Sequence, residues 1–385
     1  MESRTTARFD ADLSGAAPVQ ATEEDVRTPL PDLPAADAGS RSWRRTATLA
    51  VAGLCMLLVV SVLGLIFGTA HIPWRDALGY VWAAMTHGRI GADDLPAYRI
   101  IVESRLPRVL TAALVGAGLS VVGVVVQAMV RNSLADPYVL GISSGASVGA
   151  TAVVLFGAFA GLGLYAMPVA AFVGALIAAV TVFVVAATPA GLSPLRLVLT
   201  GTALAYGFSA LTTVLVFLAP QGDAARSVMF WLLGSLAAVT WNSVLVVAPA
   251  VLVGGGLMIL AAGHLNALSM GDEVAASLGL RAARVRLVLF VVSALLTGVM
   301  VSVCGAVGFV GLIVPHVTRL MIGADHRRVL VLAPVIGSVF LVVADLCARV
   351  AVPPQELPLS AVTAAVGVPV FLGLMRRRRG AGDQL

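Results

Sequence analysis

The sequence predicts an all-α polytopic membrane protein with about ten transmembrane helices, and three observations carry that expectation. Of its 385 residues, 59% are hydrophobic and only 12% charged, and the mean hydropathy is +0.98. Ordinary soluble domains are about 25% charged, and so few charges could not cover so much apolar surface in water. Long windows carry no charge at all, among them 46–70, 109–130 and 137–195. Glycine is frequent, at 39 residues, as expected where helices pack backbone to backbone in lipid.

The first 45 residues stand apart. They hold eight of the 20 acidic residues and show no sustained apolar period, which predicts a disordered tail over 1–45. Arg41, Arg44 and Arg45 then precede the first apolar run, Thr46 to Ala70, which is 25 residues without a charge. A signal-peptide core is only about 7–15 residues, so this run reads as a retained span, its start held in the cytoplasm by those arginines.

A spanning helix needs about 20 apolar residues. Residues 109–130 form a second span, entered through Arg105, Leu106, Pro107 and Arg108. The charge-free stretch 137–195 is too long for one helix, and Gly157, Gly161, Gly163 and Pro168 split it into a hairpin of two. Residues 197–222 supply a fifth. A short piece with Trp231 and Trp241 precedes a sixth over 242–262, and 287–304 and 306–323 make two more, joined by a tight turn at Gly305. The last two are 329–348 and 358–375, so the membrane domain covers 46–379 and a short tail 380–385 follows.

Arginine placement sets the orientation, because cytoplasmic loops collect positive charge. All 25 basic residues are arginine; with an internal N-terminus, fifteen of those from Arg41 onward fall inside and seven outside. Both termini are then cytoplasmic. The net charge of +5 therefore calls for no nucleic acid. Without lysine, Schiff-base and general-base lysine chemistry is excluded. The three cysteines lie in or beside apolar runs without metal-ligand spacing, as packing residues, and no cofactor is implied.

Ionisable groups inside spans usually mark ion or proton pathways, and here they are nearly absent. Asp345 sits four residues before Arg349, a spacing that shares a helix face. His316 follows Pro315, which frees a backbone carbonyl that needs a donor. A secondary carrier would need an acidic or histidine relay. A membrane enzyme would need a cluster, but the five histidines are scattered at 71, 87, 264, 316 and 326. No GxxxxGK[ST] loop is present either, so energy must come from elsewhere. The longest polar inner loop, 265–286, is the place to seek that contact. Asp272 and Glu273 suit a helix N-terminus, Ala275, Ala276 and Ser277 leave a slim face, and Gly279 suits a left-handed cap. On composition alone a plain loop helix between spans is the favoured reading.

These residues add up to a family. The string GAGLSVVGVVVQAMVRNSLADPYVLGISSGAS at 116–147, with RLPR at 105–108, strongly resembles the FecCD-type permeases of ABC importers for iron-siderophores, haem and cobalamin. So do LNALSMGDEVAASLG at 265–279, GAVGFVGLIVPHVTRLMIGADHR at 305–327, and ADLCAR with ELPLSAVTAAVGVPVFLGLM at 344–375. The resemblance implies a type II importer architecture in a bacterial cytoplasmic membrane. Its expected partners are a second permease subunit, identical or related, two cytoplasmic ATPase subunits, an extracytoplasmic solute-binding protein and membrane lipid. It implies ATPase contact through Gly271, Asp272, Glu273, Ala276 and Gly279. Arg105, Arg108 and Arg349 match arginines that pair with glutamates of the binding protein. Gly308, Gly311, Pro315 and His316 would serve packing and gating. Asn132, Leu134, Asp136 and Pro137 match a polar turn that is either an inner turn or an ATPase contact. Ferric siderophore is the expected cargo, with haem and cobalamin as alternatives. Ser133 and Ser360 stand where the family often has proline and glycine, which removes neither a charge nor a span.

Overall fold

The computed structural model describes residues 37–382, except 69, 71, 190 and 219–221. Within it, seven helices are long and apolar enough to cross a membrane and three shorter apolar helices accompany them, which matches the ten spans expected. They are α1 (Asp37–Ile66), α4 (Leu106–Met129), α5 (Ile142–Phe156), α6 (Ala166–Ala186), α7 (Pro194–Phe217), α9 (Trp241–Leu260), α12 (Ala282–Cys304), α13 (Val310–Ile322), α14 (His326–Val350) and α15 (Leu359–Gly382). Between them lie α2 (Trp74–Thr86), α3 (Leu95–Arg99), α8 (Gly222–Leu232), α10 (Ala262–Ser269) and α11 (Asp272–Ser277). A two-residue hairpin, β1 (Ala187–Thr188) with β2 (Gly191–Leu192), joins α6 to α7.

Several boundaries differ from the sequence reading. α1 begins at Asp37, so 37–45 are helical, and the rest of the expected tail, 1–36, lies outside the described residues. α15 continues to Gly382, past the expected end of its span, and 383–385 lie outside the described residues. The second span begins well before residue 109, because α3, a π-helical turn (Ile100–Arg105) and α4 run on as one 35-residue helix. At 1.5 Å per residue that is about 52 Å, against a hydrocarbon layer of about 30 Å, so its first turns project beyond the membrane. Pro107 accounts for the wide turn. In the π register its missing N–H would have faced the Val102 carbonyl, and the indole of Trp241, which opens α9, donates to that oxygen instead at 2.9 Å.

α4 is the centre of the bundle. It is almost wholly buried and packs against α9, α12, α13 and α14. Two glycine pairs set how closely its neighbours approach. A Cβ at Gly116 would strike the Gly337 carbonyl of α14, and one at Gly123 would strike the Gly311 carbonyl of α13. Small residues at such crossings replace the hydrophobic drive that lipid does not supply.

Two of the short helices start inside the bundle. α5 follows a 3₁₀ turn (Pro137–Leu140), and α13 follows the non-helical residues 305–309, where the expected span began at 306. Gly305 and Phe309 both take positive φ, 69° and 70°. The two breaks meet. The Tyr138 hydroxyl donates to the Val307 carbonyl and accepts from the Val307 N–H, each at 2.7 Å, and a Cβ on Gly311 would strike Pro137. Irregular backbone at this depth is tolerated because the protein itself satisfies its polar groups.

Candidate functional site

One end of the bundle carries α10, α11 and the starts of α12 and α14. α11 is a single exposed turn and a half: Glu273, Val274, Ala276, Ser277, Leu278 and Gly279 face outward while Ala275 is fully buried. Gly271 takes φ 118° to turn the chain out of α10, and Gly279 takes φ 77° just after α11. Of the five expected contact residues, Glu273, Ala276 and Gly279 are therefore on the surface. Gly271 and Asp272 are half-buried at the root of the helix.

That root is fastened by charge. Asp272 receives the Arg286 guanidinium at 2.8 Å (Oδ1) and 3.3 Å (Oδ2). The hydrogen bond from Arg286 holds the Asp272 carboxyl below the usual carboxylate range, against the opposing pull of burial and with Arg131 adding to the effect. Arg286 is only 2% exposed. It also donates to the Leu192 carbonyl at 2.7 Å and to the Met129 carbonyl at 3.3 Å. The recess around it, about 360 Å³, is lined by Arg131, Ser193 and Pro194 among others. α10 is fastened independently. The Asn266 amide donates to Asp325 at 2.9 Å and accepts from the His326 backbone N–H at 2.9 Å. Burial alone would raise the Asp325 carboxyl, but donors from Asn266, the Arg327 backbone and Arg328 outweigh it and hold it low.

At the opposite end, Arg105, Arg108 and Arg349 are all buried, at 5%, 7% and 5% exposure. Arg105 donates to the last carbonyls of α1, Leu65 at 2.6 Å and Ile66 at 2.8 Å, and to Ala70. It supplies the donors a helix C-terminus lacks. Arg108 forks onto Glu356 with two bonds of 2.9 Å and onto Asp345 through Nε at 2.9 Å. Arg349 donates to the Gly64 carbonyl at 3.0 Å. Its Nε lies 3.1 Å from Asp345 Oδ2, within ion-pair range but off the axis of a hydrogen bond, and among the described residues neither Nε nor Nη2 has a hydrogen-bond acceptor. The Asp345–Arg349 pair expected from spacing is present, but Asp345 is shared with Arg108. Arg108 and Arg349 thus share the Asp345 and Glu356 carboxylates, Arg105 is held by backbone carbonyls, and all three guanidinium groups are committed inside the protein.

The third expected group lies at the α4–α13 seam. Pro315 has no N–H, which leaves the Gly311 carbonyl free four residues earlier. Its donor is Gln127 of α4, whose amide also reaches the Leu312 carbonyl, at 3.2 and 3.3 Å. Arg319 donates to the Gln127 side-chain oxygen. His316 is half-buried beside this seam, and no described residue crowds Gly308. Sequence reasoning passed over Gln127, Arg286, Asn266 and Glu356. Gln127 alone had a signal, as a lone amide in a charge-free span.

Comparison with known proteins gives this arrangement a context. The chain matches the FecCD transport family over residues 56–377. It is 38% identical to the iron(3+)-hydroxamate import system permease protein FhuB of Bacillus subtilis, over 88% of this chain and 85% of that one. It is also 38% identical to the cobalamin import system permease protein BtuC of Halobacterium salinarum, over 86% and 89% of the two chains. Among solved structures, an inward-facing metal-chelate type ABC transporter superposes with a TM-score of 0.74 at 29% identity, covering 86% of this chain and 99% of that one. With a match that runs through every span from α1 to α15, the chain belongs to the FecCD transport family and is a multi-pass permease of the ABC importer class.

Proposed function

We propose that this permease takes up ferric siderophores by alternating access, driven by separate cytoplasmic ATPase subunits that bind the 265–286 segment. The carrying observation is α11, which exposes Glu273, Ala276 and the following Gly279 while its root is locked to α12 through Asp272 and Arg286. A helix exposed on one side and rigidly tied on the other transmits a push instead of absorbing it. On this reading the α11 end, with Arg281, Arg284, Arg327 and Arg328, faces the cytoplasm. Both termini then do so as well, and the membrane is the bacterial cytoplasmic membrane.

The arginine end faces outward and docks the solute-binding protein, in an assembly with a second permease subunit. The two Arg349 nitrogens that have no hydrogen-bond acceptor among the described residues favour the arrival of one more carboxylate. Because Arg108 is already bonded internally, the incoming group reaches it only if Glu356, the most exposed of its partners, gives way, while Arg105 stays committed to the carbonyls at the end of α1. Such charges mainly steer encounter and fix register. The iron(3+)-hydroxamate relative supports a ferric chelate, and the equally identical cobalamin relative supports the alternative.

Uptake of ⁵⁵Fe-loaded ferric hydroxamate by cells carrying wild type or Glu273→Arg, with membrane abundance checked by blot, tests this. Loss of uptake at normal abundance supports it. Normal uptake by the variant removes the coupling assignment, and unimpaired uptake in cells without the protein removes the siderophore and brings haem and cobalamin forward.

A further inference from the structure

We infer that Arg286 is the positioning residue through which movement of α11 reaches the membrane-embedded helices; this rests on the coupling reading above. Arg286 lies in the first turns of α12, and its acceptors belong to three other places in the chain. Asp272 is the first residue of α11, Met129 the last of α4, and Leu192 sits in the hairpin between α6 and α7. One planar group therefore joins four elements at one end of the bundle. Among the described residues, the side-chain hydrogen bonds that leave α11 for other elements are those of Asp272 to Arg286.

A guanidinium is a rigid, planar fork of five donors that is charged at all working pH values. It cannot follow one acceptor while its others stay still without breaking bonds. Stripping a buried cation of its partners is costly, because no water replaces them. When α11 is displaced, the lower-energy path is for the α4 terminus and the α6–α7 hairpin to travel with it. Arg131 lines the same recess as Arg286 and Asp272 and adds its charge to the attraction on that carboxylate. α4 then carries the displacement up the centre of the bundle through its glycine crossings with α13 and α14. A compact ammonium could not reproduce this, since it lacks the fork that reaches two carbonyls and a carboxylate together.

Amide hydrogen exchange on the full-length chain tests the inference. The chain is purified with the ATPase subunits it brings down from its host membranes, placed in nanodiscs, and compared without nucleotide and with ATP, Mg²⁺ and vanadate. In wild type, exchange over 271–280 should change by about threefold or more on trapping, and the same change should appear over 126–136 and 187–196. In Arg286→Met the change should persist over 271–280 and vanish from the other two segments. Arg286→Lys should give an intermediate result. Asp272→Asn, at a half-exposed site that a fold tolerates more readily, should repeat the Arg286→Met pattern. A merely structural role would alter exchange before nucleotide is added, not the segment-to-segment spread of the response. The inference is overturned if either neutral variant passes the change on undiminished, or if wild type responds over 271–280 alone. If wild type brings down no ATPase, or shows no response over 271–280, the coupling reading fails and this inference falls with it.

Discussion

Arg108 of α4 grips Asp345 of α14 across 237 residues of sequence, with Nε 2.9 Å from Oδ1 and Nη2 2.9 Å from the same oxygen. Asp345 is 1% exposed and is the shared counter-ion of two buried arginines. The pair pins α4 to α14 near one end, while the Gly116–Gly337 approach sets their spacing further along. Removing one member of a buried pair leaves an uncompensated charge. Asp345→Ala should therefore destabilise the protein by about 3–5 kcal/mol. Thermal unfolding of the purified variant in detergent, followed by size-exclusion fluorescence, checks this. A midpoint within error of wild type would mean that Glu356 alone can hold both arginines.

Gln127 supports a different seam. Its amide fills the carbonyl that Pro315 leaves open, and unfilled polar groups in hydrocarbon cost more than a lost bond gains. Gln127→Leu should cost about 1–3 kcal/mol and speed amide exchange over 310–316, leaving 271–280 unchanged. Gln127→Glu keeps an acceptor for Arg319 but, as a carboxylate, has no N–H to offer the Gly311 and Leu312 carbonyls. It should therefore speed exchange over 310–316 as Gln127→Leu does while losing less stability. Exchange measurements on the two variants distinguish lost packing from a lost donor.

The spans were legible because lipid demands long apolar windows with few or no charges, and the chain supplies them. The window 137–195 serves two crossings, and only Arg319 and Asp345 interrupt later ones. Local pairs were legible too: Asp345 and Arg349 share a helix face by spacing alone. What the sequence could not disclose was any partnership between distant elements. Arg286 looks like one inner arginine among Arg281 and Arg284, and only the carbonyls of Met129 and Leu192 distinguish it. Glu356 lies in a proline-rich loop with no periodicity, so its fork onto Arg108 had no signal. The late start of α13 was half legible, since Gly305 marked a turn, but the positive φ of Phe309 belongs to no sequence rule. Outer-end arginines suggested exposure, whereas folding turned them onto helix ends and carboxylates.

The Asp272–Arg286 pair sets a pH dependence with a definite sign. Asp272 titrates lower in the folded chain than in the unfolded one, so the unfolded state binds the proton more readily. The stabilising contribution is then complete above the unfolded value of about 4 and is lost as pH falls through the lower folded value. α11 should loosen on acidification below that range and not on alkalinisation. Limited proteolysis at the exposed Leu278–Gly279 segment, run from pH 7 down to pH 3 with an acid-tolerant protease, reads this. Asp272→Asn should show the loosened cleavage rate at every pH, so a variant that still responds to acid would assign the effect to another group.

The α4–α14 crossing offers the most local test of the bundle's architecture. A Cβ at Gly116 would strike the Gly337 carbonyl and the Leu341 side chain, and a Cβ at Gly337 would strike the Gly116 carbonyl and Ser120. Neither helix can rotate away, because Arg108–Asp345 fixes one end of the crossing and Ser338 donates to the Ala113 carbonyl at 2.7 Å beside it. Gly116→Ala should therefore cost about 1–3 kcal/mol despite raising helix propensity, and Gly116→Leu more. Gly256→Ala in α9, where no described residue lies within 4 Å of the added carbon, shares the propensity gain without the clash. If backbone approach governs the packing, the two alanine variants move the unfolding midpoint in opposite directions. If both rise, α4 and α14 have room to separate and the crossing is set by the ion pair alone.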